Sequence, residues 1–226
     1  MTRAKEAAGR RAATFVETGM TVGLGTGSTV WFTLLQLAER IRDEDLVIRG
    51  VPTSVDTETK ARELGIPLAT LDEVERLDVT IDGADEVDPA FHLIKGGGGA
   101  LLREKVVASI TEREVIVVGR DKLVDRLGTT FRLPVEVAPF ARAVVERALV
   151  ALGAEPHLRR TSEEAVYLTD NNNEILDAHF PDGIADPPDL ERRLAALPGI
   201  VESGLFIGLC HALVIGEDSG EVEVRP

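Results

Sequence analysis

Thr21-Val22-Gly23-Leu24-Gly25-Thr26-Gly27-Ser28-Thr29-Val30-Trp31-Phe32 is the stretch on which the reading of this chain turns. Its first four residues have the apolar, partly β-branched character of a short buried strand. Two glycines and three hydroxyl residues follow, and from residue 30 to 42 apolar side chains recur at helical period. Ser28 or Thr29 is placed to cap that helix. Strand, glycine turn and helix in this order open a βαβ unit.

Working outward, the same grammar holds on both sides. Residues 5–17 alternate Ala with charged side chains at helical spacing, and Gly19 ends them. Downstream, strands are predicted at 46–51, 67–69, 77–81, 92–94 and 114–118, with helices at 55–64 and 100–110. The segment Glu114-Val115-Ile116-Val117-Val118 shows little alternation, as a strand covered on both faces should. Alternating elements of this kind predict an α/β fold with a doubly wound, mostly parallel, Rossmann-like sheet. Past Leu127 the order changes to strand 132–137, helix 141–152, strand 156–160, a hairpin of 165–169 with 174–178, helix 190–197 and strand 200–203. That is a smaller α+β domain of ferredoxin-like pattern, inserted before the last strands. Those last strands, 205–209 and 212–215, are expected to rejoin the first sheet. The predicted domains are therefore 1–127 plus 204–226, and 128–203.

Composition bounds the function. The 226 residues carry a net charge of −14 and 44% apolar residues, of which aromatics are only 4% of the chain, so the core must rest on Val, Leu, Ile and Ala. No basic face is available for nucleic acid. No run approaches the roughly 18 apolar residues of a membrane span, and the N-terminus lacks an apolar signal core. The single cysteine, Cys210, cannot form an internal disulfide, which fits a reducing, cytoplasmic setting. The basic residues divide into 20 Arg and five Lys (Lys5, Lys60, Lys95, Lys105, Lys122). A Lys kept against that bias serves where a compact ammonium is needed. The Arg excess, one Gln and two Met also point to a thermophilic source.

Three loops carry chemistry. In Gly25-Thr26-Gly27-Ser28-Thr29, backbone N–H groups and hydroxyls at a helix start can hold a phosphate; a tight βα turn with a cap is the plainer reading. The spacing is not that of a dinucleotide fingerprint, and the Lys of a P-loop is missing. In Asp82-Gly83-Ala84-Asp85-Glu86, an apolar strand delivers Asp82 to its carboxyl end, where open α/β sheets bind ligands. Asp82 and Asp85 can converge on the hydroxyls of a polyol, or simply form a solvated acidic loop. In Lys95-Gly96-Gly97-Gly98-Gly99-Ala100-Leu101-Leu102-Arg103-Glu104-Lys105, four glycines permit close backbone approach to a ligand. Lys95 ends a strand facing that ligand, and Glu104 lies in the early turns of the next helix, where an ionised carboxylate is favoured. A Glu base beside a cation and backbone donors can abstract a proton next to a carbonyl. A flexible hinge with a surface Glu is the alternative.

Together these three segments resemble the signatures of ribose-5-phosphate isomerase type A. Leu133-Pro134-Val135-Glu136-Val137 and Thr169-Asp170-Asn171 resemble later parts of the same family, so the likeness runs through nearly the whole chain. The resemblance implies an aldose–ketose isomerase of the non-oxidative pentose phosphate pathway, working through an enediolate without metal or cofactor. It implies Glu104 as the base between C2 and C1. Asp82, with Asp85 beside it, would serve ring opening and transfer between oxygens, and Lys95 would stabilise the enediolate. Lys5, Thr26, Gly27, Ser28, Thr29, Gly83, Ala84, Gly96, Gly97, Gly98 and Lys122 would hold the pentose phosphate. Where family members often read Asp-x-Ser-Lys, this chain has Gly119-Arg120-Asp121-Lys122.

The four histidines, His92, His157, His179 and His211, show no ligand spacing, and no Cys/His cluster is present. A homodimer or a homotetramer is expected from the resemblance. Two other functions are weighed against the isomerase: a sugar-phosphate-sensing module without turnover, and a related phospho-sugar deaminase or CoA transferase. The first would need an effector segment or a damaged catalytic set, the second a different acid/base constellation.

Overall fold

The structure is a computed structural model that describes residues 2–226. In chain order, α1 (Thr2–Ala12) leads to β1 (Thr21–Leu24), α2 (Val30–Asp43), β2 (Arg49–Pro52), α3 (Val55–Glu63) and β3 (Leu77–Gly83). Two short strands follow, β4 (Glu86–Val87) and β5 (Leu93–Ile94), then α4 (Leu101–Ser109) and β6 (Thr111–Gly119). The next run is β7 (Leu133–Val137), α5 (Arg142–Ala151), β8 (Glu155–Leu158), β9 (Glu174–His179), α6 (Pro187–Ala195) and β10 (Ile200–Ser203). The chain ends with β11 (Leu205–Phe206), β12 (Ala212–Gly216) and β13 (Val222–Arg225).

The chain divides into two compact units. The first takes the residues up to Ala84, Arg103–Lys122 and Leu209–Pro226; the second takes Asp85–Leu102 and Leu123–Gly208. Residues 85–102, expected to go with the first domain, thus group with the second.

The first unit is built on a sheet ordered β13-β12-β6-β3-β1-β2. All neighbours are parallel except β12 and β13. β1 and β12 are buried along their whole length, as is β6 from Glu114 onward, which accounts for their unbroken apolar character. Val22, Leu24, Val79, Ile81, Val115, Val117 and Val214 pack with Ala8, Ala12, Leu34 and Leu37 from α1 and α2. Small alanines on α1 let it lie close to β6 and β12.

The second unit holds an antiparallel sheet ordered β10-β7-β9-β8, with α5 and α6 in the crossovers. The β-α-β-β-α-β order from β7 to β10 is the ferredoxin-like arrangement. A small sheet, β11-β5-β4, belongs to the same unit. The two later family-like motifs explain one another here. Glu136 Oε1, fully buried on β7, accepts from Thr169 Oγ1 and Asn173 Nδ2, both at 2.9 Å.

Three strand expectations need correction. Residues 205–209 do not rejoin the parallel sheet; Leu205–Phe206 pairs antiparallel with β5. Gly208 adopts a left-handed φ of 68°, which breaks the extended run, so only Ala212–Gly216 continues into the first sheet. Residues 67–69 make a single bridge, Leu68 to Gly50, because Pro67 has no N–H to extend a ladder. Residues 165–169 contribute only isolated bridges. Thr169 Oγ1 accepts from the N–H groups of Asn171 and Asn173 (3.2 Å each), a local turn that competes with strand pairing.

Glu86, read from sequence as part of an acidic loop, is fully buried. Its carboxylate accepts from the N–H groups of Gly128, Thr130 and Phe131 and from Thr130 Oγ1, at 2.5 to 2.7 Å. It thereby ties residues 128–131 to β4. Truncation would strand several donors, each costing about 1–3 kcal/mol when buried. Glu86→Ala should lower unfolding stability by at least about 2 kcal/mol, more than Glu86→Gln, which keeps one acceptor oxygen. Urea unfolding followed by circular dichroism measures the difference.

Candidate active site

In the first unit, parallel pairing puts the carboxyl ends of β1, β3 and β6 at one edge. Residues 25–29 leave β1 there, Asp82 lies at the end of β3, and Lys122 closes the 3₁₀ turn Arg120–Lys122 that follows β6. Such an edge is where open α/β sheets bind ligands. α4 belongs with it. Ser109 runs directly into Thr111, which opens β6 opposite Leu77, the start of β3. At 1.5 Å per residue, the first turn of α4 therefore lies back toward the carboxyl edge. Glu104 sits in that turn and is 5% exposed.

Asp82 is almost fully buried, and its Oδ1 accepts from the N–H groups of Thr26 (2.9 Å) and Gly83 (2.7 Å). Gly25 makes room for it. A Cβ at residue 25 would lie 2.3 Å from Asp82 Oδ1 and 2.5 Å from its Cα. The 25–27 loop and the β3 carboxylate are thus two parts of one seat.

The structure changes the reading of the loop hydroxyls. Thr26 Oγ1 lies 2.8 Å from the hydroxyls of Thr53 and Ser54 and 3.2 Å from that of Thr57. Thr57 Oγ1 in turn donates to Gly25 O at 2.8 Å. The Thr26 side chain therefore anchors the loop to the start of α3. Thr29 stands at the cap position of α2 with helical backbone angles, and neither its hydroxyl nor that of Ser28 caps the helix. The hydroxyl of Ser28 instead accepts from Lys5 Nζ at 2.9 Å. The N–H groups of Gly27, Ser28 and Thr29 hydrogen-bond to no described residue. Three such donors at the start of a 14-residue helix, with Lys5 alongside, have the chemistry to receive an anion.

In the second unit, the glycine run follows β5. Asp85 N donates to Ile94 O (2.8 Å), and Asp85 Oδ2 accepts from Gly97 N (2.7 Å). Lys95 is 2% exposed, its N–H bonded to Gly204 O and its Nζ 5.3 Å from the centre of the Phe206 ring. β11 places that ring by pairing with β5. A buried ammonium over an aromatic face is held by cation–π attraction, by charged partners, or by both.

Sequence reading missed Thr53, Ser54 and Thr57, and also the partners of the glycine run, Arg159, Tyr167 and Asp177. For the hydroxyls a signal existed: Ser54 precedes a helix with Thr57 three residues on, and its side chain accepts from Thr57 N. Arg159, Tyr167 and Asp177 carry no such mark, since their partners are more than 60 residues away or on a neighbouring strand. Among the described residues no group of three or more His, Cys, Asp or Glu is gathered as a metal site would require.

The ribose 5-phosphate isomerase A (phosphoriboisomerase A) family pattern matches residues 49–220. Ribose-5-phosphate isomerase A of Thermosynechococcus vestitus is 50% identical over 98% of this chain and 94% of its own length. The Bacillus mycoides enzyme of the same name is 47% identical, over 97% of this chain and 98% of its own. Among solved structures, ribose 5-phosphate isomerase A from Methanocaldococcus jannaschii superposes with a TM-score of 0.93 at 39% identity, covering 98% and 97% of the two chains. A D-ribose-5-phosphate isomerase in complex with phospho-erythronic acid superposes at 0.94 with 38% identity and the same coverage.

The Asp82 seat makes a direct prediction. Gly25→Ala forces its methyl group onto Asp82, including its Cα, which cannot swing aside. Overpacking of this kind typically costs 1–3 kcal/mol. Thermal unfolding should show that loss, whereas Gly83→Ala, whose added Cβ meets nothing nearer than 3.7 Å, should cost much less.

Proposed function

The chain belongs to the ribose 5-phosphate isomerase A family and interconverts D-ribose 5-phosphate and D-ribulose 5-phosphate, and on that premise we propose that Glu104 is the base that carries the proton between C2 and C1. The reaction is a step of the non-oxidative pentose phosphate pathway. The observation that carries the proposal is the burial of Glu104 in the first turn of α4. Burial disfavours a charged carboxylate, and a helix start favours it. A carboxylate poised in this way is suited to taking a proton from carbon.

The steps follow from the groups available. Asp82, with Asp85, assists ring opening by accepting the anomeric hydroxyl proton and returning one to the ring oxygen. Glu104 removes the C2 proton from the open aldehyde, and the electron pair passes into C1–C2 as the C1 oxygen gains negative charge. Lys95 stabilises that enediolate. Asp82 then moves a proton between O2 and O1, and Glu104 delivers its proton to C1 to give the ketose. Both N–H bonds to Asp82 fall on Oδ1, which holds the carboxylate in one orientation for these transfers.

For the phosphate we assign the N–H groups of Gly27, Ser28 and Thr29, with the Ser28 hydroxyl, Lys5 and Lys122. Thr26 positions the loop through its hydroxyl cluster. Gly83, Ala84 and the run Gly96 to Gly98 approach the sugar through their main chain. The complex of the relative with phospho-erythronic acid supports this reading, because a four-carbon phosphorylated acid presents a carboxylate where an enediolate would carry its two oxygens. Assembly as a homodimer or a homotetramer is the accompanying proposal, supported by the fully exposed ring of Phe140, just before α5, and by exposed Val144 in the first turn of α5. A cytoplasmic location agrees with the single free cysteine, and a thermophilic source with the Arg excess.

Glu104→Gln should lose the 10²–10⁴-fold in kcat typical of general-base work while still binding 4-phospho-erythronate. Turnover of ribose 5-phosphate and calorimetric titration of the inhibitor test the two halves. Substantial isomerisation by this variant would overturn the assignment.

Lys95 yields a separate prediction. Its burial beneath Phe206 leaves little space for a guanidinium. Lys95→Arg should keep the fold but lose roughly 10²-fold in kcat, the scale of one misplaced electrostatic stabiliser. Lys60→Arg is the control. Lys60 is paired with Asp56 on the exposed side of α3, and its replacement should be nearly silent in the same assay.

A further inference from the structure

The four-glycine run has an outer scaffold that the reaction as described leaves unused. Arg159 makes a two-pronged ion pair with Asp177, Nε lying 2.9 Å from Oδ2. Its remaining Nη1 donates to Gly96 O (2.9 Å) and Gly97 O (3.2 Å). Tyr167 OH donates to Gly98 O at 3.2 Å. The Arg159 guanidinium also lies 5.7 Å from the Tyr167 ring centre. Three successive carbonyls of the run are therefore drawn toward one set of side chains.

A trans peptide points its N–H opposite to its C=O. Holding the Gly97 carbonyl toward Arg159 thus turns the Gly98 N–H, in the same peptide, away from it, while Arg159 and Tyr167 hold the flanking carbonyls of Gly96 and Gly98. The two neighbouring N–H groups are committed: Gly97 N to Asp85 Oδ2 at 2.7 Å, and Gly99 N to Gly96 O at 2.9 Å. The N–H of Gly98, an exposed residue, hydrogen-bonds to no described residue. Gly99 completes the arrangement, because a Cβ there would lie 2.2 Å from Tyr167 OH and its φ is +82°. Burial raises the pKa of the Tyr167 hydroxyl, so it remains a donor across the neutral range.

We propose that Arg159, Asp177 and Tyr167 are positioning residues that turn the Gly96–Gly98 carbonyls away from the substrate and thereby present the Gly98 N–H as an oxyanion donor to the enediolate. Without them the peptide planes of a glycine run are free to rotate, and a carbonyl oxygen turned inward would repel the charge that develops on O1 and O2. The proposal deepens the isomerase reading and rests on residues 95–98 lining the substrate.

The test uses the full chain with Tyr167→Phe and Asp177→Asn. Arg132→Ala is the control, since Arg132 lines the same roughly 370 Å³ surface cavity as Arg159 and Asp177 but does not hydrogen-bond to the glycine carbonyls. Tyr167→Phe keeps the ring and removes only the hydroxyl. The readouts are kcat and KM for ribose 5-phosphate, and inhibition constants for 4-phospho-erythronate and for inorganic phosphate. Both test variants should lose about 10- to 100-fold in kcat, within the range of one weakened oxyanion donor. Inhibition by 4-phospho-erythronate should weaken by a similar factor, while that by inorganic phosphate and the control's kinetics stay within twofold. A purely structural role would move both inhibitors together, and that outcome overturns the proposal. So does near-native kcat in both variants. Failure of the isomerase reading would look different, since the wild-type chain itself would then not convert ribose 5-phosphate.

Discussion

One close approach sets the geometry of the first unit: the Asp82 carboxylate lies where the side chain of residue 25 would otherwise be. The absent Cβ lets the β1 turn and the end of β3 share volume, and the carboxylate then accepts from Thr26 N and Gly83 N. Burying a carboxylate is unfavourable unless donors meet it. Here the donors are main-chain amides already fixed by the strand and the turn, so little side-chain freedom is lost in forming the seat. The hydroxyls of Thr53, Ser54 and Thr57 hold Thr26 from the other side, which makes the turn rigid.

A chain of net charge −14 that binds a phosphorylated sugar must create its attraction locally. Long-range steering works against it, since the field of the whole molecule repels an anion. In the proposed reading that attraction comes from short-range donors at the start of α2, with Lys5 tethered to Ser28. Such contacts act over hydrogen-bond distances and are less sensitive to distant carboxylates than a diffuse basic patch would be. The few lysines of this Arg-rich chain include Lys95, which is almost fully buried.

The glycine run divides its main chain by function. Its carbonyls are gathered by Arg159 and Tyr167, and one of its amides is taken by Asp85. Glycine alone would make this loop permissive; the side chains around it make it specific. Glu86 does the same service for residues 128–131, and Glu136 for the turn at 169–173. In all three places a buried or half-buried ionic group takes up loop amides, amide side chains, hydroxyls or carbonyls that regular secondary structure does not satisfy.

By itself the sequence determined the alternation of strands and helices, the parallel sheet, and the three glycine-containing segments 25–29, 82–86 and 95–105, the last two of which bear Asp82, Lys95 and Glu104. These depend on periodicity, glycine placement and motif spacing, all of which are local and legible along the chain. The role of Glu86 could not be read, because an acidic residue in an acidic loop looks the same whether it meets solvent or four donors 42 to 45 residues away. The anchoring of Thr26 could not be read for a similar reason: nothing beside its glycines shows that the hydroxyls of Thr53, Ser54 and Thr57 meet its own. Tertiary structure alone decided that residues 205–206 pair with β5, that residues 85–102 group with the second unit, and that Arg159 and Tyr167 reach the glycine carbonyls. The physical reason is common to all. A hydrogen bond between residues distant in sequence is satisfied or left open by packing, and packing is a property of the folded chain, not of any window within it.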